Sequence, residues 1–144
     1  MGHHFARPGN RFWPTLHRAG FTPRQLSPFE DAELLTFGCG ITNLAPRPTT
    51  AAAELTPEEL SAGARTLARK VRRFAPRFLA VVGIGAYRTA FARPRAALGL
   101  QEERIAATAI WVLPNPSGLN ANYRPAELVR LYGELKAAAS GLTR

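Results

Sequence analysis

A chain of 144 residues, 46% of them hydrophobic, is the length of one domain with one modest core. Its net charge is +9, and all but two of the 19 basic residues are arginine, lysine occurring only at Lys70 and Lys136. Arginine forks match phosphate geometry, so this excess suggests a nucleic-acid partner ahead of a membrane, the plain alternative being a proteome rich in Arg and Ala codons. Cys39 is the single cysteine, which excludes an internal disulfide, a zinc knuckle and an iron–sulfur site and reads as a small buried hydrophobe. No apolar run is long enough to span a bilayer, and Met1 is not followed by the apolar stretch of a signal peptide, so a cytoplasmic location is expected.

In chain order, a dense opening, "GHHFARPGNRFWPTLHRAGF", runs into a short helix predicted over 11–18 that ends at Gly20. "LSPFEDAELLTFG" carries the signals of a second helix: Ser27 as N-cap, Pro28 at the first position, Glu30 closing a capping box and Gly38 as the stop. "ITNL" is a short strand candidate. "LTPEELSAGARTLARKVRRFAP" is the clearest helix, with Thr56 as cap, Pro57 next, Glu59 completing the box and Leu55 with Leu60 as a hydrophobic staple. Leu60, Ala64, Leu67, Val71 and Phe74 fall on one face, and Arg65, Arg69, Arg72 and Arg73 lie elsewhere, as on a solvated face.

"RFLAVVGIG" reads as a strand buried on both faces of a parallel sheet, followed by a short helix over 86–91. Its Gly-x-Gly lacks the remainder of a dinucleotide or phosphate-loop pattern and fits close strand-to-helix packing. "AIWVLPNPSGLN" is a second buried strand entering a Pro-broken loop, and an amphipathic helix from Pro125 to about Ala139 closes the chain. Alternating strands and helices predict an α/β protein, a three-layer α/β/α arrangement around a short parallel sheet. Ligands gather at the carboxyl ends of such strands, so the loops after Leu44, Val82 and Leu113 are the ones to watch.

"FARPGNRFW", "GITNLAPRPT" and "NPSGLN", in this order, resemble the uracil-DNA glycosylase superfamily, most closely its mismatch-specific uracil/thymine branch, over nearly the whole chain. The resemblance implies a DNA-repair hydrolase that extrudes a nucleotide from the duplex, at a cost of a few kcal/mol, and cleaves its N-glycosidic bond with water. Double-stranded DNA carrying a G/U or G/T mismatch is the implied partner, with no cofactor, no metal and a monomer acting in the bacterial cytoplasm or nucleoid. Gly118, Leu119 and Asn120 match the loop that fills the vacated stack, Leu119 being its apolar wedge. Asn115 and Ser117 would face the sugar and its phosphates, although Asn-Pro-Ser-Gly taken alone is an ordinary turn.

Phe5 matches the aromatic that stacks on the flipped base, a contact worth roughly 1–3 kcal/mol. Asn10 and Arg11, in the same motif, fix loop shape rather than touch the base. Thr42 and Asn43 belong at the site edge and Arg47 could meet phosphate; a simple turn is the alternative for that segment. His3 and His4 make a weak metal pair without a third ligand, and His17 reads as structural. Ile84 departs from the lysine often found at its place in the family.

In related glycosylases a buried strand and a "GINPG"-type loop precede the segment matched by "GHHFARPGNRFW", and that loop carries the asparagine that positions water. No residue of this sequence matches that asparagine, so the expectation is a chain lacking the family's first strand, whose catalytic residue is unknown and which excises little base by itself. A catalytically inactive paralogue that only binds DNA is the alternative, and a small nucleotide-binding α/β protein a third, less favoured for want of a phosphate loop.

Overall fold

The computed structural model describes residues 10–42, 56–116 and 122–141. They fall into two compact units, one formed by Met1–Thr42 with Pro114–Arg144, the other by Asn43–Leu113. The fold is α/β, with a small mixed sheet containing one parallel pair.

In the second unit, helix α2 (Pro57–Phe74) starts as its sequence dictates. The Glu59 N–H donates to Thr56 Oγ1 at 3.0 Å, and the Thr56 N–H donates to Glu59 Oε1 at 3.0 Å, satisfying two of the helix's orphan donors. Strand β1 (Phe78–Val82) leads into α3 (Ile84–Ala90). Strands β2 (Gly99–Ile105) and β3 (Thr108–Leu113) then form a hairpin, and the sheet order is β1-β3-β2. β1 runs parallel to β3, with Phe78 opposite Ala109 and Val82 opposite Leu113. Where an all-parallel sheet was expected, β2 lies antiparallel on the other side of β3.

Burial follows this order. β3 is central and apolar on both faces: Ile110 and Val112 join Leu67, Val71, Val81, Tyr87 and Ile105 in one core, while Ala109 and Leu113 are buried on the opposite face. A fully buried aliphatic such as Ile110 contributes about 1.5–3 kcal/mol through loss of apolar surface. β1 pairs on one side only among the described residues, and its Ala80 is exposed, so the two-faced burial read into "RFLAVV" belongs to β3 alone.

Gly83 also corrects an expectation. A Cβ there would meet nothing within 4 Å, so close packing is not its purpose; its φ of +110° is. That conformation, which L side chains rarely adopt, lets its N–H reach the Leu113 carbonyl at 2.8 Å and its carbonyl accept from the Tyr87 N–H, starting α3 two residues earlier than predicted.

β2 has no counterpart in the sequence reading. Its partly buried positions carry Gln101 and Glu103, and each is satisfied. Gln101 Nε2 donates to the carbonyls of Ala97 and Gly99; Glu103 accepts from the Tyr87 hydroxyl at 2.8 Å and pairs with Arg93 at 3.1 Å. Burial, reinforced by the hydrogen bond to Glu103, pushes the Tyr87 phenol above its ordinary range.

The first unit contains α1 (Phe12–Arg18), a 3-10 helix (Pro28–Phe37) and α4 (Pro125–Gly141). α1 packs on α4, and Phe12, Trp13, Leu16, Leu128, Tyr132 and Leu135 are buried. The predicted second α-helix is the 3-10 one. Ser27 donates its N–H to Glu30 Oε1 at 2.8 Å, and Gly38 stops the segment at φ +82°, as expected. Between these ends only Leu34 is buried, Phe29 and Leu35 being exposed, so no apolar stripe holds a regular α-helix, and the backbone kinks at Glu30. Ile41 and Thr42, the described start of the "ITN" segment, are not in a strand; Asn43 and Leu44 lie outside the described residues, as does Leu55 of the staple.

Candidate DNA-binding site

The first unit contains two of the three site motifs. Asn10 opens α1: its Oδ1 accepts from the Phe12 N–H at 2.8 Å, an Asx-type bond that sets where the helix begins. The ring of Phe12 meets Trp13 edge-on, centroids 5.0 Å apart, and both are buried, so the "NRFW" stretch is anchored. Between Asn10 and that anchor stands Arg11, whose contacts organise the site.

The Arg11 backbone N–H donates to the Pro116 carbonyl at 2.9 Å. Its guanidinium reaches the same oxygen through Nε at 3.3 Å and donates through Nη1 to the Tyr123 carbonyl at 2.5 Å. Pro116 and Tyr123 stand on either side of positions 117–121, which hold Ser117, Gly118, Leu119 and Asn120. One side chain therefore binds the described residues at both ends of that segment. The planar fork matters here, because a single ammonium could not serve two carbonyls in fixed directions.

Further bonds fix each flank. On the entering side, Pro116 is fully buried, and the Tyr132 hydroxyl of α4 donates to the Pro114 carbonyl at 3.0 Å. Tyr132 is 1% exposed; burial pushes its phenol above the ordinary tyrosine range, with the nearby Arg11 charge opposing, so it stays a neutral donor. On the leaving side, Arg124 donates its N–H to Glu127 Oε1 at 3.0 Å and accepts from Leu128 N–H at 3.1 Å, which starts α4. Asn115, between the two held prolines, is half-buried.

Of the residues singled out in the sequence, the structure brings Asn10 and Arg11 to the flank of the Asn115–Pro116 segment. The bonds of Arg11 run to Pro116 and Tyr123, the described residues that flank positions 117–121. Phe5, Asn43, Arg47, Ser117, Gly118, Leu119 and Asn120 lie outside the described residues, as do His3 and His4. Thr42 is exposed. His17 is structural as expected: its Nδ1 lies 3.1 Å from the Thr22 carbonyl, which assigns the ring proton to that nitrogen. Cys39 is half-buried, and burial pushes its thiol upward, away from the reactive thiolate. Among the described residues no group of three His, Cys, Asp or Glu side chains could hold a metal, and no helix is long and apolar enough to cross a membrane. Tyr132 escaped the sequence reading; with Leu128 and Leu135 it lies at helical spacing on the buried face of α4, where a core tyrosine and a loop anchor look alike.

The α/β fold and the ordered motifs agree with a comparison over almost the full chain. Residues 1–136 match the uracil DNA glycosylase superfamily, and the protein belongs to it. Membership places it in the general class of DNA-repair glycosylases, hydrolases of uracil in DNA.

Proposed function

We propose that the protein removes uracil, and thymine, mispaired with guanine, by flipping the base from the duplex and hydrolysing its N-glycosidic bond with water. The observation that carries this reading is the Arg11 clamp on Pro116 and Tyr123, which holds both ends of the segment containing Leu119. A wedge must hold its place while the stack opens, so preorganised ends reduce the entropy lost on insertion. Leu119 would fill the vacated space, Phe5 would stack on the extruded base, and Ser117 and Asn115 would meet the sugar and its phosphates. Asn10, Gly118, Asn120 and Asn43 would shape the surrounding loops. Neither Lys70 nor Lys136 stands in a site motif, so no Schiff base forms and water is the nucleophile.

A second reading, a DNA-binding module without catalysis, is favoured by one feature: the net charge of +9, carried almost entirely by arginine, supplies phosphate binding without any catalytic group. Incubating the protein in excess with a G·U duplex separates the two. Abasic product formed faster than in protein-free controls supports the glycosylase. Lesion-selective binding without product assigns the binding module, and a protein that neither binds selectively nor forms product overturns both.

A further inference from the structure

The outer face of α2 carries Arg65, Arg69, Arg72 and Arg73, all exposed, while Leu60, Ala64, Leu67 and Val71 are buried on the opposite face. At 100° per residue the four arginines fall within an arc of about 100°, and at 1.5 Å per residue they extend over about 12 Å of the helix. One strand of duplex DNA carries a charge about every 3.4 Å of axis, so a stripe of this length matches three or four phosphates.

A merely solvated helix face usually interleaves charges of both signs three and four residues apart. Here those spacings join like charges: Arg65 with Arg69, Arg69 with Arg72 and with Arg73. The acidic residues of the first turn, Glu58 and Glu59, stand at the far end. Among the described residues no carboxylate lies within ion-pair distance of the four arginines. Like-charge pairs at these spacings disfavour a helix, and a bound polyanion removes that penalty. Phe74, expected on the apolar face, is 73% exposed at the helix end and has the Arg73 guanidinium 5.5 Å from its ring centroid, which restrains that fork before any ligand arrives.

We propose that this face of α2 is a second DNA-binding surface, gripping the phosphate backbone of duplex DNA without reading sequence or lesion. The proposal rests on DNA being the protein's partner and adds a contact in the second unit to the clamped loop of the first.

The test is a quadruple variant of the full chain, R65Q/R69Q/R72Q/R73Q, titrated with a matched duplex between 50 and 200 mM salt. Each phosphate contact contributes about 0.9 to the slope of log K against log salt, so the slope should fall in magnitude by about 2–4 and low-salt affinity at least tenfold. The ratio of lesion to matched affinity should not change. Arginine-to-lysine replacement at the same four positions should keep most of the affinity, which separates charge from any folding defect. Removing four exposed charges elsewhere (R18Q/R95Q/R104Q/R130Q) should have the smaller effect. An unchanged slope in the first variant, an equal loss in this control, or wild-type binding to anionic vesicles as tight as to DNA overturns the proposal. Wild-type protein that binds no DNA at any of these salts removes both the proposal and the DNA reading beneath it.

Discussion

Replacing Arg11 with alanine is expected to cost about 2–3 kcal/mol of stability and to abolish discrimination between a G·U duplex and matched DNA. The stability figure follows from two part-buried hydrogen bonds that lose their charged donor, each such bond being worth about 1.5–3 kcal/mol, moderated because Pro116 keeps the Arg11 backbone N–H. The loss of discrimination follows from the position of those carbonyls on either side of residues 117–121. Arg11→Lys should recover part of the stability but little discrimination, since an ammonium lacks the fork that spans both oxygens. Thermal melting and duplex titration of both variants read the two effects separately. Full discrimination in Arg11→Ala would show that the loop needs no clamp.

Leu119→Ala carries the second large effect, and it is opposite in kind. If Leu119 is a wedge, its truncation leaves the folded protein nearly untouched, because a wedge side chain contributes no core contact before DNA binds. Affinity for a G·U or abasic duplex should fall at least tenfold, while affinity for matched DNA stays close to wild type. A core residue behaves in reverse. Ile110→Ala, at a fully buried position of β3, should cost about 2–5 kcal/mol of folding free energy and leave the lesion preference of the surviving folded protein unchanged. Melting curves and titrations of the two variants therefore form a crossed pair. A large drop in melting temperature for Leu119→Ala with unchanged lesion preference would make that leucine part of the core.

Where local chemistry and tertiary packing agree, the fold was legible in the sequence. α2 combines a reciprocal cap, a proline at its first position and one apolar stripe, and it begins and ends where those signals stand. β3 was legible because a central strand is apolar on both faces. β2 was not, because its inward positions hold Gln101 and Glu103, whose partners are distant in sequence, and its turn places Ala106 at φ +53° without the Gly or Asn that marks a hairpin. The segment after Ser27 had caps without a stripe, and caps alone fixed its ends but not its helix type. In the site, the motif singled out Arg11, but its bonds reach residues more than 100 positions away. Nothing local could say which residues those were.

The most direct measurement of the central claim compares the affinity of the intact protein for two duplexes that differ only in one base pair, G·U against G·C, at a fixed salt concentration. Backbone contacts contribute equally to both, so they cancel in the ratio. A wedge and a base-receiving site contribute only where a base leaves the stack easily, which a mismatch allows and a G·C pair resists. The account predicts tighter binding to G·U by at least tenfold, falling toward unity in Leu119→Ala and Arg11→Ala. Equal affinity of the wild-type protein for the two duplexes would contradict it.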